Sequence, residues 1–386
     1  MIVGINARFL AAPLGGVQRF AREVTDQLLR RCDVVLFTPR AVSLPPGWAI
    51  RARAVVGGRL HGQLWEQIEL PARARGTCDV LLHPANTAPL IRAAPQVVMV
   101  HDLLPLTHPR WFAPGFGRWY RQLMPRVVRS ADAILTSSPD LFGPLRALLG
   151  HARTPITFVP QGCAPFDAPA ADDAIAGVLA CHGIRAPYVL AVGAGEPRKN
   201  SGFATDVIRR YTAAHGPGVQ LVLVGAAASH VHARSPLSND ETPDVHARSP
   251  GPLAGDGATV RTLGRVTDHE LHALYTGARA LLYPTLGEGF GRPPLEALCC
   301  GTPVIASMYA QGEQTLAGTG ARRLPLDADN WQHALRDIIQ TGERVNSDVR
   351  RRLRERWSWE VSADTVLEAC AESAGVSHAI ANPLVR

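Results

Sequence analysis

Three stretches predict an α/β fold in two domains, each a largely parallel sheet crossed by helices. Residues 281–307, LLYPTLGEGFGRPPLEALCCGTPVIAS, read as strand, glycine turn, helix and strand. Residues 1–31 begin with a strand-like MIVGIN, pass through a Pro/Gly loop and enter a helix with apolar residues at Val17, Phe20, Ala21, Val24 and Leu28. Residues 164–173, APFDAPAADD, read as a linker, and a new apolar strand, YVLAV, starts at Tyr188.

Within 281–307, Pro294 suits a first helical position, Gly301 a position just past a helix end, and Pro303 stops continuation. The turn Gly287-Glu288-Gly289-Phe290-Gly291 stands before a helix N-terminus, whose bare amides favour an anion such as a diphosphate. Gly289 and Gly291 let the backbone approach a ligand closely. Glu288 lies on the loop, and Glu296 about one turn into the helix, able to bend back toward the same crevice. Taken alone, such a pair is a solvated loop carboxylate and a helix-dipole partner. With the glycines and Phe290 beside it, the pair fits the two ends of one ligand.

The opening strand, loop and helix form the first unit of a nucleotide-binding type of fold. Gly15-Gly16 brings the backbone close to a ligand such as a phosphate, or simply makes a tight turn. Short strands follow at 34–38, 79–83 and 97–101. His101-Asp102 closes the third, at a strand end where open α/β sheets place ligands. His101 there either donates to a ligand hydroxyl or phosphate, or is a structural histidine bonded to backbone. Asp102 orients it or caps the next element. Residues 111–129 mix Arg118, Arg121, Arg126 and Arg129 with Trp111, Phe112, Trp119, Tyr120 and Leu123. That pattern suits an anionic membrane surface, or a core-facing aromatic stripe with a solvated basic face.

After YVLAV comes GAGEPRKN, in which Gly193 and Gly195 form only a GxG and Arg198 stands where a dinucleotide fingerprint needs its last glycine. A dinucleotide oxidoreductase is therefore disfavoured. Arg198 and Lys199 instead place two cations beside a strand end, where they suit a phosphorylated ligand. Residues 226–257 break the pattern with VHARSP twice and His230, His232 and His246; they read as a mobile surface insertion. Thr267 or Asp268 should cap a helix with Glu270 early in it. Asp327-Ala328-Asp329 reads as a helix start, with Asp329 and Gln332 as its capping pair, and not as a metal site.

Composition narrows the field. A chain of 386 residues holds one large or two medium domains. Its net charge of +7 leaves phosphorylated ligands and anionic lipid in play. The absence of a zinc-finger, RNA-recognition or long Lys/Arg signature argues against nucleic acid. Seven cysteines without a CxxC pair fit a reducing compartment. No apolar run is long enough to span a bilayer, and the N-terminus lacks a basic leader, so a cytoplasmic location is expected; the membrane reading of residues 111–129 would add peripheral contact at the inner face of the membrane.

EGFGRPPLEALCCGTPVIAS resembles the signature of glycosyltransferase family 4, retaining enzymes of the GT-B fold that use nucleotide sugars. VVMVHDLLPL, the ePRKN turn, LGRVTDHELHALYTGA and WSWEVSADTVLEAC are similar to further segments of that family. The family's arginine place directly after the strand glycine is here Ala194, and Gln161 stands where asparagine is usual. Glu313 is the nearest match to the family's proline-glutamate after the central stretch.

The resemblance implies two Rossmann-like domains facing a central cleft: 1–168 for the acceptor, 169–360 for the nucleotide sugar with 226–257 inserted, and 361–386 as a helix and tail crossing back onto the first domain. It implies His101, Glu288 and Lys199 as catalytic residues. It implies Gly16, Gly193, Arg198, Lys199, Glu288, Gly289, Phe290, Gly291 and Glu296 as donor-binding residues. The implied reaction moves a hexose, GDP-mannose favoured as donor, to a saccharide or lipid-linked acceptor in surface polysaccharide synthesis. No metal or other cofactor is expected. The rival functions are a nucleotide-sugar epimerase of the same fold and a non-catalytic nucleotide-sugar binding module.

Overall fold

The computed structural model describes residues 1–225 and 260–376. The insertion read at 226–257, its repeat and its three histidines lie outside the described residues, as does the tail beyond residue 376. The chain divides into two compact units, residues 1–162 with 357–386, and residues 163–356.

In the first unit seven strands form one sheet: β1 (Ile2–Asn6), β2 (Asp33–Thr38), β3 (Ala52–Val56), β4 (Val80–His83), β5 (Gln96–Val100), β6 (Ala133–Thr136) and β7 (Ile156–Phe158). Their spatial order is β3-β2-β1-β4-β5-β6-β7, and every pairing is parallel. The chain leaves β1 toward one edge, then returns to place β4 on its other side. The junction of β1 and β4 is therefore the topological switch point, where the loops after the two strands part and leave a crevice. β4 and β5 are buried throughout, as expected of a parallel sheet covered on both faces.

The helix Gly16–Leu28 turns Phe20, Ala21, Val24 and Leu28 inward. It starts at Gly16 itself, with Gly15 at the cap position, one residue earlier than the apolar pattern indicates. The helix Trp359–Ser373 packs against it. Trp359 lies edge-on to Phe20 at 6.1 Å, Ser362 Oγ donates to the Pro160 carbonyl at 2.7 Å, and Arg31 Nε donates to Asp364 at 3.0 Å. A side chain on Gly162 would meet the Trp359 indole at 2.6 Å, so only glycine fits under that ring.

The second unit holds β8 (Tyr188–Val192), β9 (Gln220–Val224), β10 (Val260–Leu263), β11 (Leu281–Tyr283), β12 (Val304–Ser307) and β13 (Arg322–Leu324). Their order is β10-β9-β8-β11-β12-β13, again all parallel. Its switch point is the junction of β8 and β11. Its core joins the inner faces of β8 and β9 to Ala204, Val207 and Ile208 on one helix and to Trp331, Leu335 and Ile338 on another.

Local signals hold with two adjustments. Thr267 caps the helix Asp268–Gly277 and Glu270 bonds back to it, a complete capping box. The helix Ala328–Thr341 is capped by Asp327, whose side chain accepts from Asn330 N at 2.8 Å; Asp329, the expected cap, sits in the first turn and pairs with Arg210 at 2.9 Å. The helix Arg292–Cys299 begins two residues before Pro294, because Gly291 adopts φ 81° and turns the chain directly into Arg292. Replacing Trp359 by alanine is expected to destabilise the first unit by about 3–5 kcal/mol, read from the urea midpoint. A midpoint equal to wild type would show that the closing helix adds nothing.

Candidate functional site

Gly193, Arg198 and Lys199 follow β8, and residues 285–291 follow β11, so both loops stand at the C-terminal edge of the sheet across its switch point. Leu286 N donates to the Arg198 carbonyl at 2.8 Å, stitching the two loops together.

Glu288 is the centre of the arrangement. Its side chain is only 6% exposed. Lys199 Nζ donates to Oε1 at 2.7 Å, the Arg198 guanidinium donates to Oε2, and Thr285 Oγ1 donates to Oε1 at 2.7 Å. Burial favours the neutral carboxyl, but Lys199 and Arg198 outweigh it and hold Glu288 down at about 2. Burial pulls the Lys199 ammonium below its ordinary value, against the attraction of Glu288. Lys199 Nζ also donates to the Tyr283 hydroxyl at 2.8 Å. Burial likewise opposes the charge on Arg198, and Glu288 and then Glu196 more than restore it, so its value is raised. Arg198 Nε donates to Glu196 at 2.7 Å.

Two glycines make this possible. Gly193 holds φ 88°, and a side chain on it would meet the Lys199 stem at 2.9 Å. Gly291 would meet the Tyr309 hydroxyl at 2.7 Å. Phe290 is buried beside it.

Of the residues singled out in the sequence, the structure gathers Gly193, Arg198, Lys199, Glu288, Gly289, Phe290 and Gly291 at this edge. Glu296 is also buried but keeps other partners: Tyr275 donates to Oε2 and Arg292 to Oε1, each at 2.8 Å. Glu313 lies exposed in the first turn of the helix Ala310–Leu316.

Gly16 and His101 belong to the first unit. His101 follows β5 and is buried; its Nε2 lies 2.9 Å from the Pro84 carbonyl, and its ring stands edge-on to Phe20 at 4.8 Å. Asp102 Oδ1 accepts from Leu104 N at 3.0 Å, capping the next turn. Thr285 and Tyr283 are partners that sequence reasoning did not find, since a threonine and a tyrosine near a strand end carry no distinctive pattern.

The helix Pro114–Ser130 turns Tyr120, Leu123, Met124, Val127 and Val128 into the core, with Phe116 and Trp119 packed against that cluster, and leaves Arg118, Arg121, Arg126 and Arg129 exposed. This is the core-facing stripe with a solvated basic face. Among the described residues no helix is long and apolar enough to cross a membrane.

Two family models match successive parts of the chain: Glycosyltransferase Family 4 over residues 14–165, and Glycosyl transferases group 1 over residues 183–357. The chain is 25% identical over 262 residues to the O-antigen chain mannosyltransferase RfbU of Salmonella typhimurium, covering 68% of this chain and 65% of that protein. It is 25% identical over 291 residues to the glycogen synthase of Mycobacterium tuberculosis, covering 74% of this chain and 64% of that protein. The match thus spans just under two thirds of each relative's length. Among solved structures, Anabaena Alr3699/HepE in complex with UDP and glucose superposes with a TM-score of 0.67 at 17% identity, covering 96% of this chain and 99% of that one. That likeness speaks to the fold.

The Glu288 carboxyl titrates near 4.5 when unpaired and about 2 in the fold. The folded value is the lower, so its stabilising contribution is complete above pH 4.5 and is lost as pH falls toward 2. The stability difference between wild type and Glu288→Gln should therefore shrink across that range in thermal melts. A difference independent of pH would contradict the pairing.

Proposed function

We propose, from the premise that the chain belongs to glycosyltransferase family 4 and has its two-domain GT-B fold, that it transfers a hexose from a nucleoside diphosphate sugar to a saccharide or lipid-linked acceptor, with retention of configuration. One observation carries the reading: a buried carboxylate, Glu288, clasped by two cations at the switch point of the second unit's sheet.

Arg198 and Lys199 are balanced in charge by the buried Glu288 and the more exposed Glu196, and what the pairing gives the site is two cations fixed in place at the strand edge. A departing diphosphate gains negative charge as the glycosidic bond breaks, and fixed cations then stabilise the transition state more than the ground state. Glu288 and the backbone amides of 289–291 take the sugar hydroxyls, Glu296 the ribose, and Gly193 gives the diphosphate close access to backbone. From the first unit the reading enlists Gly16 and His101. Arg198, Lys199 and the amides supply the charge stabilisation, and the reaction needs no metal ion.

Mannose from GDP-mannose is the first choice of donor, supported by the name of the Salmonella relative; the glycogen synthase relative favours a glucosyl donor as the second reading. Surface polysaccharide is the corresponding product. The exposed arginines of the helix Pro114–Ser130 are the proposed contact with an anionic membrane.

A thermal-shift panel of GDP, UDP, ADP and dTDP separates the donors, since the nucleotide that binds the folded chain raises its melting temperature. Transfer should persist in EDTA, and Lys199→Ala and Glu288→Ala should each lower kcat by about 10²–10³-fold. Full turnover in both variants would sink the assignment of these residues, and free nucleotide released at the same rate without an acceptor would sink the transfer reading. Replacing Arg118, Arg121, Arg126 and Arg129 by glutamine should abolish co-sedimentation with phosphatidylglycerol vesicles; unchanged sedimentation would remove the membrane contact.

A further inference from the structure

The switch point of the first unit carries a second polar cluster that the donor site does not use. Asn6 ends β1 and His83 ends β4, the two strands that flank that switch point. Asn6 Nδ2 donates to Glu66 Oε1 at 2.6 Å and lies 3.3 Å from His83 Nδ1. Burial pushes His83 down to about 3, so it is neutral in the fold. Glu66 is 1% exposed and sits on a π-helical turn, Trp65–Glu69, a rare geometry that frequently accompanies functional sites.

Above this floor lies Arg8. Its Nη2 donates to Thr87 Oγ1 at 2.9 Å and stands 3.5 Å from Glu66. With the Gln63 amide turned to satisfy both ends, Gln63 donates to Glu66 Oε2 at 2.7 Å and accepts from Arg8 Nη1 at 2.9 Å. Three neighbours thus fix the guanidinium, yet its side chain stays 26% exposed.

A buried ion pair is a poor source of stability, since a well-packed apolar pair of the same volume does as well or better. Here the buried carboxylate instead holds an arginine rigid at a ligand-binding position of the sheet. The Arg8–Glu66 pair is neutral overall, so it offers an anion little net attraction while keeping directed N–H donors. Neutral oxygens match that chemistry.

We propose that Arg8 is an anchor for a saccharide hydroxyl on the first unit, with Glu66 as the positioning residue that orients it. The proposal deepens the transfer reading, on which it rests for the ligand being a sugar.

The test titrates the full chain with methyl α-mannoside, methyl α-glucoside and inorganic phosphate by saturation-transfer NMR, beside GDP and UDP. At least one glycoside should bind wild type. Arg8→Gln and Arg8→Lys should each weaken it about tenfold or more, because lysine keeps the charge but not the planar fork. Glu66→Gln should weaken glycoside binding similarly with nucleotide affinity and the melting temperature of the first unit held, a split that a purely structural role would not give. Glycoside binding unchanged in both Arg8 variants overturns the anchor, as does a wild type that binds no glycoside. Phosphate competing in an Arg8-dependent way overturns the hydroxyl assignment in favour of an anion. A chain that binds glycoside but no nucleotide keeps the anchor and loses the transfer reading instead.

Discussion

A carboxylate taken out of water is costly unless charges close by repay it, and Glu288 is placed under that constraint. Stripped of partners, a buried carboxylate would be several kcal/mol out of balance, or neutral. Arg198, Lys199 and Thr285 settle the balance, and in doing so they determine the shape of the region. Lys199 must pass over position 193, which has room only for glycine, and the loop after β11 must fold back far enough for Leu286 to bond Arg198. The cations are thereby held rigid before any ligand arrives, the condition under which fixed charges are most effective on a developing anion.

The two sheets repeat one topological device. In each, the chain leaves a central strand toward one edge and comes back to lay a strand on its other side. The loops at that junction diverge, so their polar side chains gather there without filling the space with backbone. In the second unit Arg198 and Lys199 are held between Glu288 and Glu196. In the first, Arg8 and Glu66 cancel, and Asn6, His83 and Thr87 complete a neutral hydrogen-bonded floor. The same architecture thus fixes a guanidinium by a buried carboxylate at each switch point.

The helix Pro114–Ser130 illustrates how composition alone can point two ways. Its mixture of arginine and aromatic side chains suits an interface and a core equally well in sequence. Packing decides the aromatic half, since Tyr120 is buried among Leu123, Met124 and Val127 while the arginines remain in solvent. The face left in solvent carries Arg118, Arg121, Arg126 and Arg129, and binding there would rest on charge.

The sequence by itself determined what short-range physics governs: the alternation of strands and helices, the capping box of Thr267 and Glu270, the glycine turn, and the placement of Arg198-Lys199 just beyond a strand. These follow from backbone preferences acting over a few residues. It did not reveal the edge strands β3 and β13, whose arginine-bearing, partly exposed segments lack an apolar run. Nor did it show that Glu288 and Lys199, 89 residues apart, would share one hydrogen bond, or that Asn6 and Glu66, 60 apart, would share another. Those pairings exist only once the sheet order has brought distant strand ends side by side. A side chain's type is written locally, but its partner is chosen by the long-range closure of the fold.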